Sequence, residues 1–253
     1  ITALIQGQKE AAWSEMARRL AHEIKNPLTP IQLAAERLRH KFLETMDSDQ
    51  ADALNKLTNT IVQQVETMKD MVNTFSEYAY TPVITQKYVD INKVIQGFVD
   101  LYSTLAVNTP IVLELTENLP LVKADPGRLQ RVFNNLVNNA FDATTSKNNT
   151  ILRIMTNRVS EKGLDFIEIR VKDSGAGISK DIIGSIFEPY VTSKPKGTGL
   201  GLAIVKKIIE EHGGIVWIEN NTGESGACAA IRLPVATSAE SSIIQNNYNK
   251  EVI

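Results

Sequence analysis

A histidine lies among residues that could support its chemistry. His22 belongs to the segment Ala21-His22-Glu23-Ile24-Lys25-Asn26-Pro27-Leu28. An exposed imidazole titrates near neutral pH and is a competent nucleophile, and the neighbouring carboxylate of Glu23 could accept its proton. On a helix, Asn26 shares the face of His22, and Pro27 predicts a bend just beyond it. Taken alone, the segment also fits an ordinary surface histidine on a charged helix, which is the commoner case.

A second segment is rich in asparagine. It reads Asn134-Asn135-Leu136-Val137-Asn138-Asn139-Ala140-Phe141-Asp142, inside a stretch with helical spacing. Asn135 and Asn139 are four residues apart and therefore share a helix face. A side-chain amide oxygen is a suitable ligand for Mg²⁺ when phosphates and water supply the other ligands. A plain polar helix face is the alternative interpretation.

A third segment joins a carboxylate to two glycines. It reads Asp173-Ser174-Gly175-Ala176-Gly177-Ile178 and directly follows a predicted strand. The carboxylate can accept a hydrogen bond from an exocyclic amine such as that of adenine, and the glycines allow a flat ligand to approach closely. A tight turn with a capping aspartate would have the same pattern.

A fourth segment is a glycine-rich loop that leads into a helix. It runs from Gly197 through Gly199 and Gly201 to Val205, and Lys194 and Lys196 precede it. Backbone N–H groups at a helix N-terminus favour phosphate. The spacing fits neither a dinucleotide-binding loop after a strand nor GxxxxGK[ST], and the serine/threonine kinase signatures HRD and DFG are absent.

Two long helices must position the histidine. Residues 1 to about 80 contain a single glycine, and their apolar residues recur in steps of three and four. One stripe comprises Met16, Leu20, Ile24, Leu28, Ile31, Ala35, Leu38 and Phe42, and the other comprises Leu54, Leu57, Ile61, Val65, Met68, Val72, Phe75 and Ala79. Asp49 or Ser48 could cap the second helix. Since a hairpin alone encloses little core, we expect two copies to form a dimeric four-helix bundle.

The remainder of the chain predicts an α+β domain. Five short apolar or alternating runs predict strands, and they are Ile111–Leu115, Ile151–Thr156, Phe166–Val171, Ile215–Glu219 and Ala229–Leu233. Helical patterns cover about 91–105, 126–143 and 200–212. We therefore expect a helical domain over 1–80, a linker over 81–89, an α+β domain over 90–235 and a mobile tail over 236–253.

Composition excludes several classes of function. The 253 residues carry 27 basic and 29 acidic side chains, a net charge of −2, which argues against a nucleic-acid partner bound by broad electrostatics. One cysteine allows no internal disulfide, and three widely spaced histidines argue against a histidine-rich metal site. The sequence lacks an 18-residue apolar run and a signal peptide, so we expect a cytosolic fragment of a longer protein.

Taken in order, these segments resemble the transmitter module of two-component sensor histidine kinases. The segment 22–28 resembles the H box, 135–139 the N box, 173–177 the G1 box, 187–190 the F box and 197–201 the G2 box. The resemblance covers about residues 10–235. The stretch from Ala17 to Leu33 is similar, almost residue for residue, to the NtrY branch of nitrogen-regulation sensor kinases, and the opening residues resemble the exit of a PAS sensor domain.

The resemblance implies a fold and residue roles. The second half would have the Bergerat (GHKL) fold, an α/β sandwich shared with gyrase, Hsp90 and MutL. His22 would accept the phosphoryl group, Glu23 would be its general base, and Asn26 would orient water for dephosphorylating a partner. Asn139 would bind Mg²⁺ and Asp173 would recognise the adenine amine. The other ATP-binding positions would be Asn135, Asp142, Gly175, Gly177, Ile178, Lys194, Thr198, Gly199, Leu200 and Gly201, under a lid at about 188–198.

The expected activity is therefore that of a protein-histidine kinase with ATP and Mg²⁺ as cofactors. It would autophosphorylate His22, pass the phosphoryl group to an aspartate of an NtrX-like response regulator and also dephosphorylate that regulator. We expect a homodimer and the cytoplasmic portion of a bacterial inner-membrane protein, with any membrane contact made by upstream segments. An ATPase of the gyrase or Hsp90 kind and a non-catalytic signalling scaffold are the alternatives.

Overall fold

The computed structural model describes residues 2–79, 84–104, 110–144, 151–194 and 197–236. Within these ranges the chain divides into two compact units, one within 1–83 together with 193–200, and the other within 84–192 together with 201–253. The predicted tail lies outside the described residues apart from Ala236, as does Lys196. None of the helices in the described part of the chain is both long and apolar enough to cross a membrane.

The first unit is built on an antiparallel helical hairpin. Helix α1 spans Thr2–Phe42, a short 3₁₀ turn spans Leu43–Thr45, and helix α2 spans Ser48–Ala79. Two side-chain hydrogen bonds between the helices show their relative direction: Arg39 donates to Asn59 at 2.7 Å, and Lys69 donates to Gln32 at 2.6 Å. Because a later residue on α1 pairs with an earlier one on α2, the helices run in opposite directions.

The second helix is capped by a residue other than those predicted. The side-chain oxygen Oδ1 of Asp47 accepts a hydrogen bond from the backbone N–H of Gln50 at 2.9 Å. The prediction that Asp49 or Ser48 caps α2 is therefore wrong, because the helix already begins at Ser48 and the residue before it, Asp47, is the cap. Helix α1 continues through Pro27 and Pro30.

Small residues allow the two helices to approach closely. Along α1, Ala17, Ala21, Leu28 and Ala35 are buried, at intervals of four and seven residues. Most of the apolar stripe predicted on α1 is exposed in the single chain. Its exposed members are Met16, Leu20, Ile24, Ile31, Leu38 and Phe42. The physical reason is width, since one partner helix covers only part of such a broad apolar face.

The second unit is a helical layer on a mixed sheet. The strands are β1 (Lys87–Val89), β2 (Ile111–Leu115), β3 (Val122–Ala124), β4 (Leu152–Glu161), β5 (Leu164–Lys172), β6 (Ile215–Asn220) and β7 (Ala227–Pro234). The helices are α3 (Ile91–Thr104), α4 (Pro126–Thr144), the short α5 (Lys180–Ile183) and α6 (Gly201–Glu211). Five strands form one sheet in the order β2-β4-β5-β7-β6, and β1 pairs with β3 in a small second sheet.

One face of the large sheet carries the core. In β5, Ile167, Ile169 and Val171 alternate inward and are at most 3% exposed. Helix α4 contacts both β4 and β5 and also packs against α3 and α6. The ring of Phe133 on α4 is fully buried in this layer. The α/β sandwich expected from the resemblance is confirmed.

The opposite face of the sheet carries a charged ladder. Glu168 is 6% exposed, and it accepts hydrogen bonds from Arg170 and from Arg232, each at 2.7 Å. Burial by itself would raise the pKa of this carboxyl, but the two guanidinium groups outweigh it and hold the pKa below its usual range. The guanidinium of Arg232 also lies 5.1 Å from the ring centroid of Trp217.

The sequence patterns located the large elements well. Strands occur at all five predicted segments, and helices occur at all three predicted segments of the second half. The elements missed were the three-residue strands β1 and β3 and the four-residue helix α5. Segments this short lack enough residues for a periodic pattern to be recognised.

Candidate functional site

Asp173 lies just beyond the end of β5 and has a fixed geometry. Its Oδ1 accepts hydrogen bonds from the backbone N–H groups of Gly175 at 2.8 Å and Ala227 at 3.2 Å. Its own N–H donates to the carbonyl oxygen of Ala227 at 2.9 Å. The first residue of β7 and the loop after Asp173 therefore both orient the carboxylate that the sequence predicted to recognise adenine.

The two glycines after Asp173 are required by close approach. A Cβ on Gly175 would come within 2.8 Å of the Cβ and the carbonyl oxygen of Ala143, near the C-terminus of α4. Gly177 has a φ of +80°, and a Cβ there would come within 2.8 Å of Asn220 Oδ1. Glycine at these positions lets the loop 173–178 lie directly against the end of α4 and the β6–β7 turn.

The asparagine-rich helix meets the start of α6. Asn135 is half-buried, and its amide Nδ2 donates to the carbonyl oxygen of Arg131 at 2.9 Å. A Cβ on Gly201 would lie 2.9 Å from Asn135 Oδ1, so any larger residue at the start of α6 would have to displace this amide. The structure thus brings together two residues that are 66 positions apart in the sequence.

The other candidate residues of α4 follow along the same helix. Asn139, one turn beyond Asn135, is half-buried, and Asp142 is exposed. Asn138 accepts a hydrogen bond from the hydroxyl of Tyr102 on α3 at 2.6 Å. Burial raises the pKa of Tyr102 above its usual value, although the bond to Asn138 acts in the opposite direction. The hydrogen bond at Asn138 therefore anchors α4 to α3, and Asn139 lies half-buried one residue further along the helix.

The far ends of α4 and α6 are joined as well. Arg128 forms an ion pair with Glu211, and both side chains are largely buried. His212, also buried, accepts a hydrogen bond through Nε2 from the backbone N–H of Asp125 at 3.0 Å. Its Nδ1 lies 2.7 Å from the carbonyl oxygen of Ile208, so the ring is a neutral Nδ1–H tautomer. These bonds fix the relative position of the two helices that carry the candidate residues.

The glycine-rich loop has the geometry of a turn before a helix. The N–H of Gly197 donates to the carbonyl oxygen of Lys194 at 3.1 Å, and the N–H of Leu200 donates to Thr198 Oγ1 at 3.3 Å. Gly199 has a φ of +67°, which glycine adopts without strain. Because α6 starts at Gly201, its first backbone N–H groups have no acceptor within the helix and could bind an anion.

His22 lies exposed on α1, as do Glu23 and Asn26. The carboxylate of Glu23 accepts a hydrogen bond from the guanidinium of Arg19 at 3.2 Å, four residues earlier on the helix. Both of these side chains are well exposed, at 80% for Arg19 and 60% for Glu23. An exposed ion pair of this kind is weak, so it leaves the carboxylate able to exchange partners.

Sequence reasoning missed the residues that support the loop after Asp173. They are Asn220, Asn221, Ser225 and Gly226. All four lie in the β6–β7 turn, which is taken to include Asn220, the last residue of β6. The segment Asn220-Asn221-Thr222-Gly223 between two predicted strands is a turn signal. Nothing in the local pattern indicates that this turn would contact residues nearly 50 positions earlier.

Two family matches cover most of the chain. Residues 12–80 match the His Kinase A (phospho-acceptor) domain, and residues 124–237 match the histidine kinase-, DNA gyrase B-, and HSP90-like ATPase family. The structure is similar to the catalytic domain of histidine kinase ThkA, with a TM-score of 0.52 and 31% identity over 60% of this chain and 99% of that one. The chain belongs to the sensor histidine kinase family.

Within this family the chain is similar to NtrY proteins. It is 40% identical over 240 residues to the nitrogen regulation protein NtrY of Azorhizobium caulinodans, covering 92% of this chain and 30% of that protein. An NtrY-like sensor histidine kinase of Rickettsia bellii is 37% identical over 230 residues, covering 90% and 36% of the two chains. The chain thus spans about a third of the length of these curated relatives.

A further solved structure is similar over both units. It is histidine kinase ThkA in complex with the response regulator protein TrrA, with a TM-score of 0.62 and 27% identity over 90% of this chain and 64% of that one. The phospho-acceptor match over 12–80 also separates this chain from ATPases of the gyrase and Hsp90 kind, whose family covers only its second half.

Proposed function

We propose that this chain is the kinase core of a sensor histidine kinase, which phosphorylates His22 from ATP and passes the phosphoryl group to an aspartate of a response regulator. The observation that supports this most strongly is the pairing of two elements in one chain. A phospho-acceptor helix presents an exposed histidine. In the ATPase-family domain, the loop after Asp173 and the start of α6 both lie against one helix, α4, which carries Asn135.

The proposed phosphorylation is an in-line displacement at the γ-phosphorus of ATP. The unprotonated nitrogen of the His22 imidazole supplies the electron pair for the new N–P bond, and the bond to the β,γ-bridging oxygen breaks to release ADP. The proton on the other ring nitrogen passes to the carboxylate of Glu23, of which Arg19 contacts the Oε1 oxygen. Transfer onward forms an acyl phosphate on the regulator's aspartate and regenerates the histidine.

In the nucleotide site we assign the adenine amine to the carboxylate of Asp173. The phosphates are assigned to the N-terminus of α6, where Gly199 and Gly201 permit close approach and Lys194 supplies positive charge. The remaining assigned positions are Asn135, Asp142, Gly175, Gly177, Ile178, Thr198 and Leu200.

We assign Mg²⁺ to the side-chain oxygen of Asn139. The site fits the ion chemically, because a half-buried amide oxygen one turn from Asn135 can complete a coordination shell made mainly of phosphate and water. When bound, Mg²⁺ would neutralise charge on the phosphates during transfer.

The proposal extends to organisation and partners. We assign residues 1–80 to dimerisation and phosphotransfer, 81–89 to the linker, 90–235 to ATP binding and 236–253 to a tail. The exposed apolar residues of the hairpin would be covered in a homodimeric four-helix bundle. The similarity to NtrY favours an NtrX-like regulator as the partner and the cytoplasmic side of a bacterial inner membrane as the location.

The test is incubation with γ-labelled ATP and Mg²⁺. The wild-type chain should gain label that is lost in acid and kept in base, and His22→Gln and Asn139→Ala variants should gain none. His40→Gln is the matched control, because His40 is exposed on the same helix and should leave labelling unchanged. Equal labelling of wild type and His22→Gln would contradict the proposal, and ATP binding without any label would favour a scaffold.

The proposed phosphatase role of Asn26 has a separate test. An Asn26→Ala variant should autophosphorylate normally, because the amide takes no part in that displacement, but it should dephosphorylate the phosphorylated regulator more slowly. Unchanged dephosphorylation would refute the role of Asn26 in orienting water.

A further inference from the structure

The turn between β6 and β7 forms hydrogen bonds with the loop that carries Asp173. The amide Nδ2 of Asn221 donates to the carbonyl oxygen of Asp173 at 2.8 Å and to that of Ser225 at 3.2 Å. The hydroxyl of Ser225 in turn donates to the carbonyl oxygen of Gly175 at 2.5 Å. Two backbone carbonyls of the loop are therefore satisfied by side chains of this one turn.

Asn220 holds the other end of the same loop. Its Oδ1 accepts a hydrogen bond from the N–H of Ile178 at 2.7 Å, and its Nδ2 donates to the carbonyl oxygen of Ile178 at 2.9 Å. One side-chain amide thus satisfies both backbone groups of Ile178, as a neighbouring strand would. Gly177 is in contact with it, since a Cβ there would lie 2.8 Å from Asn220 Oδ1.

The backbone of the turn approaches the loop as closely as the side chains do. Gly226 has a φ of +114°, and a Cβ there would lie 2.1 Å from the carbonyl oxygen of Asp173. Only glycine fits between the turn and Asp173. The turn therefore touches the loop at its start, at Gly175 and at its end, and these contacts determine where the Asp173 carboxylate is held.

We infer that Asn220 and Asn221 are positioning residues for adenine recognition, acting by holding the loop 173–178 against the β6–β7 turn. The inference rests on the proposed role of Asp173 in binding the adenine amine. Neither asparagine needs to touch the nucleotide. Their contribution is that the carboxylate is already oriented before ATP binds, so that binding does not have to order the loop.

The inference predicts a loss of selectivity as well as of affinity. Asn220 is exposed, so Asn220→Ala should remove its two hydrogen bonds without opening the core. We expect ATP to bind about tenfold more weakly, which corresponds to the net contribution of one or two such bonds. Purine riboside 5′-triphosphate, which lacks the 6-amino group, should lose much less, because it makes no bond to Asp173.

Asn220→Asp distinguishes the hydrogen bonds from the space they occupy. Aspartate has the shape of asparagine and can still accept from the N–H of Ile178. Its second oxygen would face the carbonyl oxygen of Ile178, where the amide now donates at 2.9 Å. We therefore expect Asn220→Asp to bind ATP as weakly as Asn220→Ala. Thr222→Ala, an exposed change in the same turn, is the matched control and should bind both nucleotides normally.

The experiment is calorimetric titration of the full chain and each variant with both nucleotides, with thermal unfolding recorded alongside. The expected result is a lower ratio of ATP affinity to analogue affinity in both Asn220 variants, at nearly unchanged melting temperature. Wild-type selectivity in both variants would overturn the inference alone, as would equal losses for both nucleotides. A wild-type chain that binds neither nucleotide would overturn the proposed function and this inference with it.

Discussion

Asp173 combines two tasks that a pair of substitutions can separate. Its Oδ1 accepts two backbone hydrogen bonds, from Gly175 and Ala227, and the carboxylate is also assigned to the adenine amine. Asp173→Asn keeps an acceptor oxygen for the two N–H groups but presents an NH₂ group in place of the second oxygen. Asp173→Ala removes both oxygens. The first change should therefore weaken binding with only a small loss of stability, and the second should weaken binding with a larger loss of stability.

The magnitudes follow from the geometry. Gly175 and Ala227 are both buried, so Asp173→Ala leaves two buried N–H groups without this acceptor. At about 1–3 kcal/mol for each of the two unsatisfied groups, the free energy of unfolding should fall by about 2–6 kcal/mol. Asp173→Asn exchanges a charged acceptor for a neutral one and should cost about 1 kcal/mol.

Binding should respond differently from stability. A hydrogen bond to a charged group contributes about 1.5–3 kcal/mol, which corresponds to a change in ATP affinity of about 10- to 100-fold. Asp173→Asn should lose at least this much, because its NH₂ group would face the amino group of adenine. The two variants should therefore bind ATP similarly weakly while differing in stability.

Urea unfolding followed by circular dichroism measures the stability, and titration calorimetry with ATP measures the binding. Glu117→Gln, at an exposed carboxylate of the same unit, is the control for a change of charge alone and should unfold like wild type. Wild-type ATP affinity in Asp173→Asn would refute the assignment of this carboxylate to adenine. Equal stability of Asp173→Asn and Asp173→Ala would refute the structural role derived from its two backbone bonds.

Three further predictions test other parts of the molecule. Gly201→Ala should weaken ATP binding by about tenfold, because the new Cβ displaces Asn135. In a double-mutant cycle measured by calorimetry, Gly201→Ala should have almost no effect once Asn135 is replaced by alanine. Additive losses of affinity in the double mutant would contradict this contact. Glu168→Gln should cost about 2 kcal/mol at pH 7 in urea unfolding. Because the folded pKa of Glu168 is lowered, its stabilisation is complete above the unfolded pKa of about 4.3 and is lost as the pH falls through the folded pKa. The difference in the free energy of unfolding between wild type and Glu168→Gln should therefore shrink below about pH 4. A difference that does not depend on pH would disprove the ionic role of Glu168. Replacing the exposed Ile31 and Leu38 by aspartate should yield monomers in light scattering, whereas an unchanged dimer would rule out this face as the interface.

The sequence by itself determined the elements and the chemistry-bearing segments. Helical periods of three and four identified α1 and α2, and alternating runs identified the five strands of the large sheet, because these periods follow from backbone geometry. The order of the five boxes identified the family. Each element and each box can be recognised from a short continuous segment, and the order of the boxes requires only the sequence.

Only the tertiary structure decided which distant residues meet. Asn135 touches the first residue of α6, and Asn220 holds Ile178, although 66 and 42 positions separate these pairs. Such contacts depend on how helices pack on the sheet and how strands are ordered, and a local pattern carries no information about either. The same limit explains α1, where periodicity predicted one apolar stripe, but packing in the single chain buries only Leu28 and Ala35 of its members and leaves the others exposed.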